Sequence, residues 1–295
     1  MNFKLAPICL FTYNRYHETI KTVEALQRNY LAKDSELYVF SDGPKNESTK
    51  TQVEEVRAYL SEIRGFKSIK IYESSENKGL ANSIIQGVSK VLKDHGSVIV
   101  LEDDLITSPN FLDFMNQALT FYTNKDKVFS ISGYTMNLKA LKDETRDFYL
   151  GYRASSWGWA TWENRWNEID WDVDDYKEFK WNILRQIDFM RGGSDMPRML
   201  WRQMNNQIDS WAIRWCYHQF KNDLLTVFPV KSKVQNIGFG EMATHTKKQK
   251  NIFTYLDTGV QIDFEFNSSM EFNKTLLQEF RSQFSVIKRI KNRLL

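Results

Sequence analysis

Five short apolar segments, set at a steady cadence among amphipathic ones, leave the first half of this chain few ways to fold. "PICLFTY", "ELYVFSD", "SIKIYES", "SVIVLED" and "VFSISGY" are rich in β-branched and aromatic residues and have the length of strands. Helical patterns separate the first four. Ile20, Val23 and Leu26 share one face, and Val53, Val56, Leu60 and Ile63 another. Ile84, Ile85, Val88, Val91 and Leu92 form a third. Strand, helix and strand in this order predict right-handed βαβ units. The fold class expected is α/β, with a mostly parallel sheet flanked by helices. After the fourth strand, Ser108 and Pro109 read as the N-cap and first residue of the next helix.

In such sheets, ligands bind beyond the carboxyl ends of the strands. Three of the candidate strands end in an unusual polar cluster: Thr12-Tyr13-Asn14-Arg15, then Ser41-Asp42-Gly43, then Glu102-Asp103-Asp104. The three clusters are expected on one edge. Adjacent carboxylates there suit a hard cation, Mg²⁺ or Mn²⁺, which takes oxygen ligands and leaves positions for water and phosphate. Aspartates after strands also simply cap turns, and spacing alone does not separate the two readings. Asp42 could accept from a base N–H, and Arg15 could meet a phosphate. Neither a Walker loop nor a GxGxxG segment follows the first strand, so a nucleotide would be held by other means.

A chain of 295 residues, 42% hydrophobic, can bury a substantial core. Its net charge of +3 gives no global basic field, so nucleic acid is not an expected partner. Cys9 and Cys216 sit in apolar stretches without a disulfide or zinc pattern. No apolar run approaches the roughly 20 residues of a membrane span, and the first residues do not read as a secretory signal. A cytoplasmic location is expected. All nine tryptophans fall between Trp157 and Trp215, where indoles serve either as core or as platforms for sugar rings. Near the C-terminus, Phe280, Phe284, Ile287 and Ile290 lie at helical spacing beside Lys288, Arg289, Lys291 and Arg293. That amphipathic helix could pack on the domain or lie on an anionic membrane surface.

Several stretches together resemble the GT-A nucleotide-sugar glycosyltransferases, over about Pro7 to His245. "VIVLEDDLITSPNFLDFM" looks like their metal-binding segment, in the Glu-Asp-Asp form found in Golgi N-acetylglucosaminyltransferase I enzymes. "PICLFTYNRYHETIKTVEAL" resembles their first strand and helix, and "VFSDG" the strand whose Asp contacts uracil. "ENKGLANSIIQGV" is similar to an Asn-x-Gly segment of bacterial family 2 enzymes, and "SSWGWATWENRW" to the Gly-Trp loop shaping the sugar and acceptor pocket.

The resemblance implies a GT-A, Rossmann-like fold and the following roles. Asp104 and His245 would ligate Mn²⁺ or Mg²⁺. Thr12, Asn14, Arg15, Asp42, Lys78, Glu102 and Asp103 would hold the nucleotide sugar. Trp157, Gly158 and Trp159 would line the acceptor or sugar pocket, and Asp209 would be the catalytic base. Asp170, Asp172, Asp174 and Asp175 are rivals for that base but read as a solvated loop. The reaction implied is inverting transfer from a UDP-sugar, of GlcNAc or another hexose. The acceptor would be a hydroxyl of a glycan or lipid-linked glycan, as in bacterial surface-polysaccharide synthesis. Residues 1–135 would form the nucleotide-sugar-binding half and 136–250 the acceptor-binding and catalytic half of one domain. Residues 251–295 would form a C-terminal helical tail able to touch the inner face of the plasma membrane. A sugar-phosphate nucleotidyltransferase and a non-catalytic glycan-binding protein are the alternatives.

Overall fold

The computed structural model describes residues 4–238, 255–285 and 288. The first half alternates as expected: β1 (Ile8–Thr12), α1 (Tyr16–Gln27), β2 (Glu36–Ser41), α2 (Glu47–Glu62), β3 (Ser68–Glu73), α3 (Leu80–His95) and β4 (Ser97–Glu102). A short β5 (Leu105–Thr107), α4 (Phe111–Tyr122) and β6 (Val128–Ser132) follow. The second half holds β7 (Phe148–Gly151), β8 (Trp159–Trp162), α5 (Glu163–Trp166), α6 (Tyr176–Phe179), α7 (Ile183–Phe189), α8 (Met196–Met204) and α9 (Trp211–Lys221). After these come β9 (Leu225–Pro229), β10 (Val234–Asn236) and α10 (Lys274–Gln283).

Strands from both halves share one eight-stranded sheet, ordered β3-β2-β1-β4-β8-β6-β9-β7. The four strands β3, β2, β1 and β4 are parallel neighbours, as the cadence predicted. Beyond β4 the pattern changes. β8 wedges antiparallel between β4 and β6, so the fifth predicted strand does not touch the fourth. "WATW" carries no alternation that marks it as a strand, because both of its faces are buried. The register Val100↔Trp159 enters β8 from the carboxyl edge of β4. A second ribbon pairs β5 with β10 antiparallel.

Two apolar layers sandwich the sheet. α1, α2 and α4 cover one face around Val23, Leu26, Val56, Leu60, Phe111 and Phe114. α3 and α9 cover the other, with Ile84, Val88 and the tryptophan cluster. α4 begins at Phe111, three residues after Ser108. The Ser108 hydroxyl is spent on Asn110 Oδ1 (2.7 Å), and the cap comes from a distance: Asn29 Oδ1 accepts the Leu112 N–H at 3.0 Å. Sequence offers no signal for a cap borrowed from the end of another helix.

Residues 255–272 form an extended strap, with no helix, across α4. Gln117 Nε2 donates to the Ile262 carbonyl and Tyr122 Oη to that of Asn267. The strap is anchored by a buried Lys233–Asp257 ion pair. α10 then packs on the domain: Leu276 and Phe280 are buried, and the Arg153 guanidinium lies 3.9 Å from the Phe284 ring centroid. The described part of the C-terminal apolar face, Phe280 and Phe284, is therefore occupied by the protein itself and is not a membrane face. Ile287, Ile290 and the terminal arginines lie outside the described residues.

Candidate active site

Parallel pairing of β2, β1 and β4 brings the three polar clusters to one edge, and hydrogen bonds stitch them together. The Asp42 N–H donates to the Thr12 carbonyl (3.0 Å), and the Tyr13 N–H donates to Asp103 Oδ2 (3.1 Å). Arg15, at the start of α1, reaches across to Asp104 and pairs with its Oδ2 at 2.7 Å. From α1, the Thr22 hydroxyl donates to the Asp103 carbonyl at 2.9 Å. Thr12 Oγ1 is buried without a hydrogen-bond partner among the described residues. Asn14 turns to Gln52 (2.9 Å) on α2.

Glu102, Asp103 and Asp104 concentrate negative charge where water is scarce. Burial first, then the Asp104 and Asp103 charges, push the Glu102 carboxyl well above the usual carboxylate range. Burial and Asp104 raise Asp103 to about 7. Asp104 is raised by burial too, against the opposing pull of Arg15. Among the described residues one guanidinium faces three carboxylates, so a further cation would relieve the excess. β10 closes this side. The Ile237 N–H donates to the Asp104 carbonyl at 2.8 Å, and Asn236 Nδ2 approaches Asp104 Oδ1 at 3.4 Å. The Gly238 backbone lies so close to Asp104 and Arg15 that a Cβ there would overlap both.

The described residues contain no set of three or more His, Cys, Asp or Glu disposed around one point to hold a metal ion. A hard cation that keeps phosphate and water ligands needs only one or two side chains, and the acidic edge fits it on charge. His245 lies outside the described residues.

Asp42 has its own structural task. Its Oδ1 accepts the Gly43 and Lys78 N–H groups, each at 2.9 Å. Its Oδ2 accepts Asn77 Nδ2 and the Gly79 N–H, each at 3.1 Å. The carboxylate thus clamps the 77–79 loop onto the end of β2. The Lys78 ammonium points away, to Gln86 at 3.2 Å. Arg57 on α2 backs the clamp, donating to the Ser41, Asp42 and Ser74 carbonyls (3.4, 3.2 and 2.7 Å). Sequence reading passed over Arg57, although a charge within a face bearing Val53, Val56 and Leu60 was a signal.

Gly79, at φ +76°, opens α3, and a Cβ there would stand 3.4 Å from Asp209 Oδ2. Asp209 therefore adjoins the loop that Asp42 holds. It does not cap α9: Ser210 does, accepting the Ile213 N–H at 3.4 Å. Two of the rival acids, Asp170 and Asp175, are engaged elsewhere. Asp170 accepts the backbone N–H groups of Asp172, Val173 and Asp174 in a tight turn, and Asp175 meets Tyr217 and Lys221.

The tryptophan loop divides. Trp157 is half-buried, edge-on to Tyr134 with centroids 4.6 Å apart, at the carboxyl edge. Gly158 is buried at φ +60°, its carbonyl accepting the Gly133 N–H, and a Cβ added to it would run into Val234 and crowd Leu101 and Phe111. Trp159 is fully buried, with ring centroids 4.4 Å from Trp215 and 5.0 Å from Trp211. Gly158, just before β8, and Trp159, its first residue, are thus used in packing, on a strand with both faces covered.

The family profile described as Glycosyl transferase family 2 matches residues 8–197. The chain belongs to the glycosyl transferase family 2. Curated proteins give no match. Solved structures similar to it include the mannosyltransferase PcManGT from Pyrobaculum calidifontis in complex with GDP-Man and Mn²⁺. It is 11% identical at a TM-score of 0.36, over 56% of this chain and 48% of that one. S. aureus TarS 1-349 is 12% identical at a TM-score of 0.38, over 57% and 50%. The chain spans about half the length of these structures.

Proposed function

We propose that the chain is an inverting, divalent-cation-dependent glycosyltransferase drawing on a UDP-sugar. The observation that carries this reading is the carboxyl edge, where the carboxylates of Glu102, Asp103 and Asp104, buried or half-buried, face one guanidinium, Arg15, among the described residues. Asp104, with His245, would hold Mn²⁺ or Mg²⁺. Such an ion neutralises the diphosphate and makes it a better leaving group. Arg15 would exchange Asp104 for a donor phosphate. Thr12, Asn14, Asp42, Lys78, Glu102 and Asp103 would surround the nucleoside and sugar. Asp42 acts there through the loop it clamps, because all four of its acceptor positions are already used. Trp157 offers an indole face to the sugar or acceptor.

Asp209 would take the proton of an acceptor hydroxyl as its oxygen bonds to the anomeric carbon. The bond from that carbon to the phosphate oxygen breaks, and UDP leaves with the electron pair. Donor sugars in this reading are GlcNAc or another hexose. The acceptor is a glycan or lipid-linked glycan of bacterial surface-polysaccharide synthesis, met at the cytoplasmic side of the membrane. The test is a panel of UDP-sugars scored for slow hydrolysis with and without Mn²⁺. Asp209→Asn should abolish transfer while UDP still binds, and Asp104→Ala should lose the metal dependence. Near-normal turnover in the first variant, or unchanged metal dependence in the second, would remove that residue from its role.

A further inference from the structure

Among the described residues, the most apolar exposed surface belongs to the short helix α7 and the residue pair before it. Trp181 is 80% exposed, Leu184 79%, Ile183 70% and Ile187 57%. The same stretch also has a buried side. Phe179 and Phe189 pack edge-on to each other at 5.7 Å and against Tyr217 and Phe220 of α9. The segment is thus apolar on both sides, but the protein covers only one of them, and a segment apolar all round calls for a second apolar environment.

The rim shows which environment. Lys177 and Lys180 are exposed beside the patch, and the Lys180 ammonium lies 5.1 Å from the Trp181 ring centroid. On the neighbouring helix α8, Trp201 is exposed between Arg198 and Arg202, which are exposed as well. Over residues 176–204 these four exposed bases stand against two exposed acids, Glu178 and Asp188, while Asp172 and Asp174 are exposed just before that stretch. Indole and branched aliphatic side chains within a lysine and arginine collar match the boundary between headgroups and acyl chains of an anionic bilayer. No helix among the described residues is long and apolar enough to cross a membrane, so contact would be along the surface.

We propose that Trp181, Ile183, Leu184 and Ile187 dock the protein onto an anionic lipid surface, with the neighbouring lysines and arginines on the headgroups. Gln203, at the end of α8, accepts the Ser210 N–H through Oε1 at 2.6 Å. The docked face therefore adjoins the segment carrying Asp209. If the function proposed above holds, it turns the acceptor side of the site toward lipid.

The experiment is co-sedimentation of the full chain with vesicles of mixed phosphatidylglycerol and phosphatidylcholine, and with phosphatidylcholine alone. Wild-type protein should sediment with the mixed vesicles and far less with the neutral ones. The triple variant Trp181→Ser/Leu184→Ser/Ile187→Ser should bind the mixed vesicles roughly tenfold or more weakly, with an unchanged circular dichroism melt. Should that variant misfold, Lys177→Glu/Lys180→Glu on exposed positions applies the same test through charge and should also lose binding. Equal binding by variant and wild type would overturn the proposal. So would absence of wild-type binding, or a wild-type dimer that the variant converts to monomer. Hydrolysis of UDP-sugars in solution needs no vesicle, so failure here leaves the reading of the active site separately testable.

Discussion

Replacing Asp42 by Asn tests whether this carboxylate positions the donor loop or only touches a ligand. The side chain is 8% exposed and accepts four N–H bonds. In the Asn variant, an NH₂ group must face either the Gly43 and Lys78 donors or the Asn77 and Gly79 donors. Two hydrogen bonds to a charged acceptor are lost, each worth about 1.5–3 kcal/mol, and two donors are left facing a third. Partial relief by water in a loop whose Lys78 is exposed brings the expected loss to about 2–4 kcal/mol. Urea unfolding would read this as a lower midpoint at unchanged slope. Because Gly79 abuts Asp209, donor turnover should fall with it. The reasoning is refuted if Asp42→Asn stays within about 0.5 kcal/mol of wild type. Weakened UDP binding at unchanged stability would mean that Asp42 acts by ligand contact alone.

Three other outcomes follow from the same geometry. Trp159→Ala should cost about 3–5 kcal/mol of stability, whereas Trp157→Ala should leave the melt nearly unchanged and raise the acceptor KM; the reverse pattern would exchange their roles. Lys233→Met leaves Asp257 charged and buried, at a cost of about 3–5 kcal/mol, and Lys233→Met/Asp257→Leu should recover part of it in urea titrations. The acidic edge predicts a pH dependence. A carboxyl raised to about 7 in the folded state, as Asp103 is, binds its proton more tightly there than unfolded, so stability falls as pH rises through 7. Below about 6.5 the burial-lowered His95 and His218 act oppositely, so the window to measure is pH 6.5 to 8. There Mn²⁺, which favours the ionised carboxylates, should raise the melting temperature more at pH 8 than at 6.5; a shift independent of pH would count against cation binding at this edge.

Much of the left half of the sheet was legible because each signal was local. β1 to β4 announce themselves by short apolar runs, and α1 to α3 by apolar residues three and four apart. One topological rule then puts Arg15, Asp42 and Glu102–Asp104 on the same edge. The tryptophan loop was read less well. An indole looks alike in sequence whether it faces a sugar or another indole, so Trp157 and Trp159 could be separated only by the register Val100↔Trp159. Similarly, Asp42 carries the charge of a ligand-binding residue, but the four donors that occupy it come from positions 43 and 77–79.

By itself, the chain's order of residues determined the α/β alternation and where its chemistry must gather, since backbone periodicity and strand polarity depend on near neighbours. Tertiary structure decided the rest: the antiparallel β8 inserted beside β4, the cap that Asn29 lends to α4, the strap held by Lys233 and Asp257, and the approach of Asp209 to Gly79. Each joins residues from 24 to 130 positions apart, and side chains that distant meet only when packing of the whole core selects one arrangement.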